Sequence, residues 1–162
     1  MPTLFCLVIL FVVWFTYERK KNAPDYSKSE SFWERERKAT YVPKQSMDDL
    51  HFIDLPESII PQADPSSSDE LKAVIEDLHR LPGSKICNLS EFSNTDLKLK
   101  YGTGNFNDLS VADNNYIRLI QWSGKLLTCL DEEDRIEDAR PFIDFLRENE
   151  ITSGIIRRYT DK

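Results

Sequence analysis

Hydrophobic and polar positions divide the 162-residue chain into unequal stretches. The first, "LFCLVILFVVWFTYERKK" from Leu4 to Lys21, is free of charge for fourteen residues and then carries one acid and three bases. So uniform an apolar run has no polar face and predicts a helix that is hydrophobic all round. Residues 26 to 44, "YSKSESFWERERKATYVPK", predict a short amphipathic helix in which Phe32 and Trp33 precede Arg35, Arg37 and Lys38. Such a helix either lies on a lipid surface or stands as a solvated spacer, and Glu34 and Glu36 offset part of its positive charge. Residues 43 to 66 are punctuated by Pro43, Pro56, Pro61 and Pro65, yet hold Phe52, Ile53, Leu55, Ile59 and Ile60. That content predicts an irregular path packed along the body.

Helical periodicity begins at "SSDELKAVIEDLHRLPG". Ser67 with Glu70 reads as a capping box, Leu71, Val74, Ile75 and Leu78 form one stripe, and Pro82 with Gly83 ends it. In "NTDLKLKYG" the alternation of Leu97, Leu99 and Tyr101 fits a strand, while Asn94 or Thr95 as cap, Asp96 in the first turn, and Leu97 with Tyr101 at i, i+4 fit a helix, which is the reading preferred. The next helix starts at Asp113 or Asn114 and places Tyr116, Leu119, Ile120, Leu126, Leu127 and Leu130 near one face, with Gly124 where another helix can approach. The acidic turn Asp131 to Asp134 breaks it. Ile136, Ala139, Ile143 and Leu146 then recur at helical spacing. Pro141 is accommodated either by a late start capped by Asp138 or by a kink. A short helix in "SGIIRRYTDK" closes the chain.

The opening run is expected to be a retained membrane anchor. The uncharged stretch Met1 to Tyr17 is seventeen residues, at the lower edge of the about 17 to 25 of a spanning helix. Trp14 and Tyr17 suit the interfacial belt, and Arg19, Lys20 and Lys21 can snorkel. A cleaved signal would need a basic start and small residues at its end, whereas only Met1, Pro2 and Thr3 precede the run and bulky Trp14, Phe15 and Tyr17 close it. A helix buried in a soluble core is the other alternative. Because the bases follow the span, the positive-inside rule places the N-terminus outside and the body in the cytoplasm.

Charge sharpens that division. Residues 18 to 45 carry eight Lys or Arg against five Asp or Glu, a balance of +3, and residues 46 to 162 carry thirteen against twenty-three, a balance of −10. An acidic body excludes nucleic acid as an expected partner, since phosphate binding depends on Lys and Arg.

Candidate chemistry is sparse. Cys6 lies inside the apolar run, too near the start to end a lipoprotein signal, while Cys87 and Cys129 have no CxxC or CxxH spacing and read as small buried apolar residues in a reducing compartment. The "NLS" sequon at Asn88 has meaning only on an exported chain. His79 falls beside the apolar stripe, where it favours the helix macrodipole, and with His51 alone besides it no zinc cluster forms. Gly102 to Gly104, "GTG", lack the phosphate-loop and dinucleotide patterns, and read as a helix break or a close contact. "DEEDRIED" lacks the EF-hand spacing and its glycine. The scattered acids Asp131, Glu132 and Glu133 supply no nucleophile and base pair.

The succession "YERKK", "FWERERKA", "LHFIDLPESIIP", "NTDLKLKYG", a Trp-containing helix, an Ala-containing helix and "IIRRYTDK" resembles a family of uncharacterised membrane-anchored proteins from anaerobic Firmicutes (Clostridia). That resemblance implies a tetratricopeptide-like hairpin in which Trp122 and Ala139 hold the two packing positions. The chain departs from it in having "WSG" where the family has Trp and Gly adjacent, and a span from Trp122 to Ala139 about one helical turn longer than the repeat pattern.

The expectation is therefore a mainly α bacterial protein: anchor with basic flank at 1–21, juxtamembrane helix and Pro-rich connection at 22–66, and a small helical, TPR-like domain at 67–162. Leu4, Phe11, Trp14, Tyr17, Arg19, Lys20 and Lys21 carry the anchor, and Tyr116, Trp122, Ala139 and Phe142 carry packing or interaction. The expected role is a single-pass, membrane-anchored adaptor without catalytic activity, cofactor or metal. Its partners are membrane lipid and a protein. The alternative is a membrane-tethered enzyme or metal-binding regulator using the acids of the helical domain.

Overall fold

The computed structural model describes residues 2–21 and 26–161, with side chains described at 8–18, 21 and 31–161. Leu4, Cys6, Arg19 and Lys20 lie outside the described side chains. The protein is mainly helical, and the chain divides into two compact units, Met1–Lys38 and Ala39–Lys162.

The first unit contains α1, Pro2–Lys21, and most of α2, Tyr26–Thr40. Among the described residues no helix is long and apolar enough to cross a membrane. The span expected over Met1 to Tyr17 is therefore not shown among the described residues.

The second unit is built from α3 (Asp69–Leu78), α4 (Asn94–Tyr101), α5 (Thr103–Glu132), α6 (Arg140–Glu148) and the four-residue α7 (Arg157–Thr160), with 3-10 turns at Glu57–Ile59 and Ile136–Ala139. The stripe Leu71, Val74, Ile75 and Leu78 of α3 is buried as its spacing predicts. Its cap is Ser68, however, whose Oγ accepts the Leu71 N–H at 3.2 Å. Ser67 is drawn away by tertiary partners, since its hydroxyl accepts from Arg135 Nη1 at 2.8 Å and from the Asp64 N–H at 3.2 Å. In α4 the capping box is Ser93 with Asp96, one residue before the expected cap, and each backbone N–H is satisfied by the other's side chain.

The spine is α5. Its 30 residues extend roughly 45 Å. Its start lies ten residues earlier than Asp113, which instead accepts the Leu89 N–H at 3.1 Å. The polar stretch before Asp113 has weak intrinsic helix preference, but Leu109 and Ala112 are buried and Phe106 packs beside them, so tertiary burial overrides propensity. Two apolar clusters share this helix. The smaller gathers Cys87, Leu89, Leu97, Tyr101, Leu109 and Ala112, flanked by Met47, Leu50 and Phe52. The larger sets the second half of α5 against α3, α6 and the segment 53–60. Each fully buried Leu there contributes about 1.5 to 3 kcal/mol of transfer free energy. As expected, the Pro-punctuated segment packs inward: Ile53, Leu55 and Ile60 are buried, and the Ile53 N–H donates to the Ile86 carbonyl at 2.8 Å in an isolated antiparallel bridge.

Three ties hold the start of this unit. Thr103 Oγ1 donates to the carbonyls of Ala39 (3.0 Å) and Thr40 (3.1 Å), and the Gln45 N–H donates to the Tyr101 carbonyl at 2.9 Å. Asp49 receives Lys100 Nζ at 2.7 Å and the Tyr101 hydroxyl at 3.2 Å. The Asp49 contact pushes the Lys100 ammonium up to about 12. At the other end, α5 stops at Glu132, Asp134 turns the chain at φ 55°, and Pro141 sits in the first turn of α6, where its missing N–H costs nothing. Asp138 is not the cap of α6. It pairs with Arg135 at 3.0 Å, and the preceding 3-10 turn leads the chain into the helix.

Candidate functional site

Three places in the second unit bring polar side chains together. The first is an open cleft of about 400 Å³ along the outer face of α5, where Trp122, Lys125, Thr128 and Glu132 meet Glu70 of α3 and Ile155 of the turn before α7. Helical spacing puts the α5 residues in a row. Trp122 is half-buried, with part of its ring against the larger cluster and part facing the cleft. Gly124 also lines it, and what approaches is the Ile155 side chain, 3.7 Å from where a Cβ would stand. The close approach of another helix expected at this glycine is therefore not what the fold uses: a turn residue comes near, at ordinary contact distance. Ile155 is well exposed, so the cleft has an apolar lip beside a Lys and two Glu.

The second place is a smaller cavity of about 230 Å³ that joins four separated segments through His51, Cys87, Asn88, Tyr116, Asn149 and Glu150. Asn88 Nδ2 donates to the Tyr116 hydroxyl at 3.3 Å. Burial, with Asp113 nearby, pushes both the Cys87 thiol and the Tyr116 phenol up. A thiol raised in this way stays protonated at neutral pH and is a poor nucleophile.

The third is the acidic turn after α5. Glu133 Oε1 accepts the Ser68 N–H at 2.8 Å, at the head of α3. That hydrogen bond holds the Glu133 carboxyl below its ordinary range. Arg135 lies between Asp64 (2.9 Å), Glu133 (3.5 Å) and Asp138 (3.0 Å). The Tyr159 hydroxyl donates to Asp131 at 3.1 Å. These acids fasten α5, α3 and the C-terminal turn to one another. Among the described residues no group of three or more His, Cys, Asp or Glu is placed to hold a metal ion.

Of the residues singled out for interaction, Trp122 lines the first cleft and Tyr116 the second cavity. Phe142 is wholly buried and lies 6.4 Å, centroid to centroid, from Phe145. Ala139 is wholly buried in the 3-10 turn, and Tyr116 is nearly so. Ala139 lies in the 3-10 turn Ile136–Ala139, which packs on α5, and Trp122 packs against the same larger cluster to which Ala139 belongs. His79 approaches Glu57 at 3.4 Å. The residue that sequence reasoning missed is Arg135. Its position beside acids in sequence gave no hint of Asp64 and Ser67, which come from a segment about seventy residues earlier.

Compared with family models, curated proteins and solved structures, the chain matches none of them.

Proposed function

We propose that this chain is a membrane-anchored, non-catalytic adaptor, held in a bilayer by α1 and presenting the helical unit to a protein partner at the cytoplasmic face. One observation carries the membrane reading. From Val8 to Tyr17 the large apolar and aromatic side chains of α1 are all between 48 and 66 % exposed, on every side of the helix. A helix without a polar face finds no stable place in water, and lipid is the environment that covers all its sides. Thr16 agrees: its hydroxyl donates back to the carbonyls of Val12 (2.8 Å) and Val13 (2.9 Å), leaving no hydrogen-bonding demand unmet in an apolar medium. Phe11 stacks on Phe15 and tilts against Trp14, which sits toward the basic end with Tyr17, where an interfacial belt would lie.

The orientation rests on Arg19, Lys20 and Lys21 following the apolar run. The adaptor reading rests on the cleft at Trp122, whose apolar lip and mixed charges suit a peptide segment better than a reaction, and on the acids of the turn after α5 being occupied in fastening helices.

The test is a pair of C-terminal fusions expressed in a bacterium, one to alkaline phosphatase and one to a fluorescent protein. Membrane-bound fluorescence without phosphatase activity is expected. Phosphatase activity without fluorescence overturns the orientation, and recovery of the fusion in the soluble fraction overturns the anchor.

A further inference from the structure

We propose that α2 is a second membrane contact, lying in the headgroup layer of an anionic leaflet with Phe32 and Trp33 seated among the lipids. This rests on the reading of α1 as an anchor and extends it to a part of the chain that the anchor does not require.

Phe32 and Trp33 are 52 and 66 % exposed, and they meet edge to face with ring centroids 5.5 Å apart and planes at 74°. The described residues around them on α2 are Ser31, Glu34, Arg35, Glu36, Arg37 and Lys38, so the pair is an isolated apolar patch on a polar helix. Aromatic rings with this placement are favoured at headgroup depth, where the ring is shielded and the indole N–H still finds a polar partner. Chain length limits what else can cover them. Only five Cα steps separate Lys21 from Tyr26, at most about 18 Å. The polar layer of one leaflet is itself about 5 to 8 Å deep. If α1 ends at the interface, α2 begins within a few layer thicknesses of it, and lipid is the nearest apolar surface present at high concentration.

Charge favours the same occupant. Lys38 is engaged with Glu34 at 3.0 Å, so the attraction rests on the overall +3 balance of residues 18 to 45 and not on one base. A net positive segment beside an anionic leaflet is drawn to it within a Debye length. The −10 body carries the opposite sign and is repelled from that leaflet.

The experiment uses the full chain in vesicles of phosphatidylcholine with phosphatidylglycerol, and in phosphatidylcholine alone. Trp33 is made the sole tryptophan by Trp14→Phe and Trp122→Phe. The difference spectrum between the native chain and its Trp33→Ser variant gives the same signal with those two residues untouched. Emission of Trp33 is expected to shift to the blue on anionic vesicles and to lose most of its intensity to lipids brominated near the headgroup, more than to lipids brominated deep in the chain. A vesicle-bound chain whose Trp33 is quenched only by acrylamide in the water overturns the α2 contact and leaves the anchor standing. Trp33 shielded from acrylamide without vesicles assigns the patch to a protein surface and also overturns it. A chain that does not float with vesicles overturns both readings.

Discussion

The carbonyl oxygen of Pro43 lies 2.1 Å from the point where a Cβ on Gly102 would stand, and the carbonyl carbon lies 2.6 Å from it. Gly102 joins α4 to α5 at φ 83° and ψ 152°, a conformation open almost only to glycine. The sharp junction and the close passage of the 39–45 segment therefore depend on the same missing side chain. Gly102→Ala is expected to cost roughly 2 to 5 kcal/mol, from backbone strain and overpacking together. Gly83, at φ 75° with nothing within 4 Å of its Cβ position, is the control. Gly83→Ala should cost about 1 kcal/mol. Denaturant unfolding of the two variants measures the difference, and equal costs would mean that the Pro43 contact yields freely.

Asn105 is completely buried, and its Nδ2 donates to the carbonyls of Gln45 (2.7 Å) and Tyr101 (2.8 Å). Asn105→Ala leaves both carbonyls without that donor and is expected to lose about 1 to 3 kcal/mol. Asn105→Asp should be worse, because it turns a donor into a buried acceptor or charge facing two carbonyls. An aspartate variant as stable as the alanine one would contradict that geometry.

Acid stability should depend on Glu133. Its carboxyl is held below the ordinary 4.5 chiefly by the Ser68 backbone N–H, then by the Ser68 side chain, with Arg135 adding attraction. The folded pKa is the depressed one, so the stabilisation is fully present above 4.5 and is lost as pH falls through the folded value. Asp64 is depressed in the same direction, first by the Ser66 hydroxyl. The prediction is that melting temperature falls as pH drops below 4.5, and that Glu133→Gln, which still offers an acceptor to Ser68, makes this decline shallower. Parallel pH profiles for the two proteins would remove Glu133 from the acid response.

The two described cysteines should be inert in the folded protein. Cys87 and Cys129 are 2 and 6 % exposed, and burial pushes both thiols up. At neutral pH neither should react appreciably with iodoacetamide until denaturant unfolds the chain, and peptide mass spectrometry reads each site separately. Prompt labelling of Cys129 would show that the cleft beside Trp122 opens to reagents in solution.

Local periodicity carried much of this architecture. The stripe of α3, the Leu97 and Tyr101 pair of α4, the inward path of Ile53 and Ile60, and the position of Pro141 follow from spacing and backbone chemistry that act within a few residues. The ends of helices were less legible, because several polar groups compete for each cap. Ser67 was a plausible cap until Arg135 claimed its hydroxyl, and Asp113 a plausible start until Leu89 did the same with its carboxylate.

The sequence by itself determined that the chain is mainly helical, that an apolar segment with basic residues after it precedes an acidic body, and where most apolar stripes lie. Those properties belong to short windows, where side-chain spacing and charge add up locally. Tertiary structure alone decided that α5 runs unbroken from Thr103, that Gly102 meets Pro43, that Glu133 closes the head of α3, and that Trp122 reaches a cleft while Phe142 does not. Each depends on a contact between residues far apart in sequence, or on which face of a helix the rest of the fold covers. Pairings of that kind are selected by burial and steric fit across the whole unit, and no local pattern encodes them.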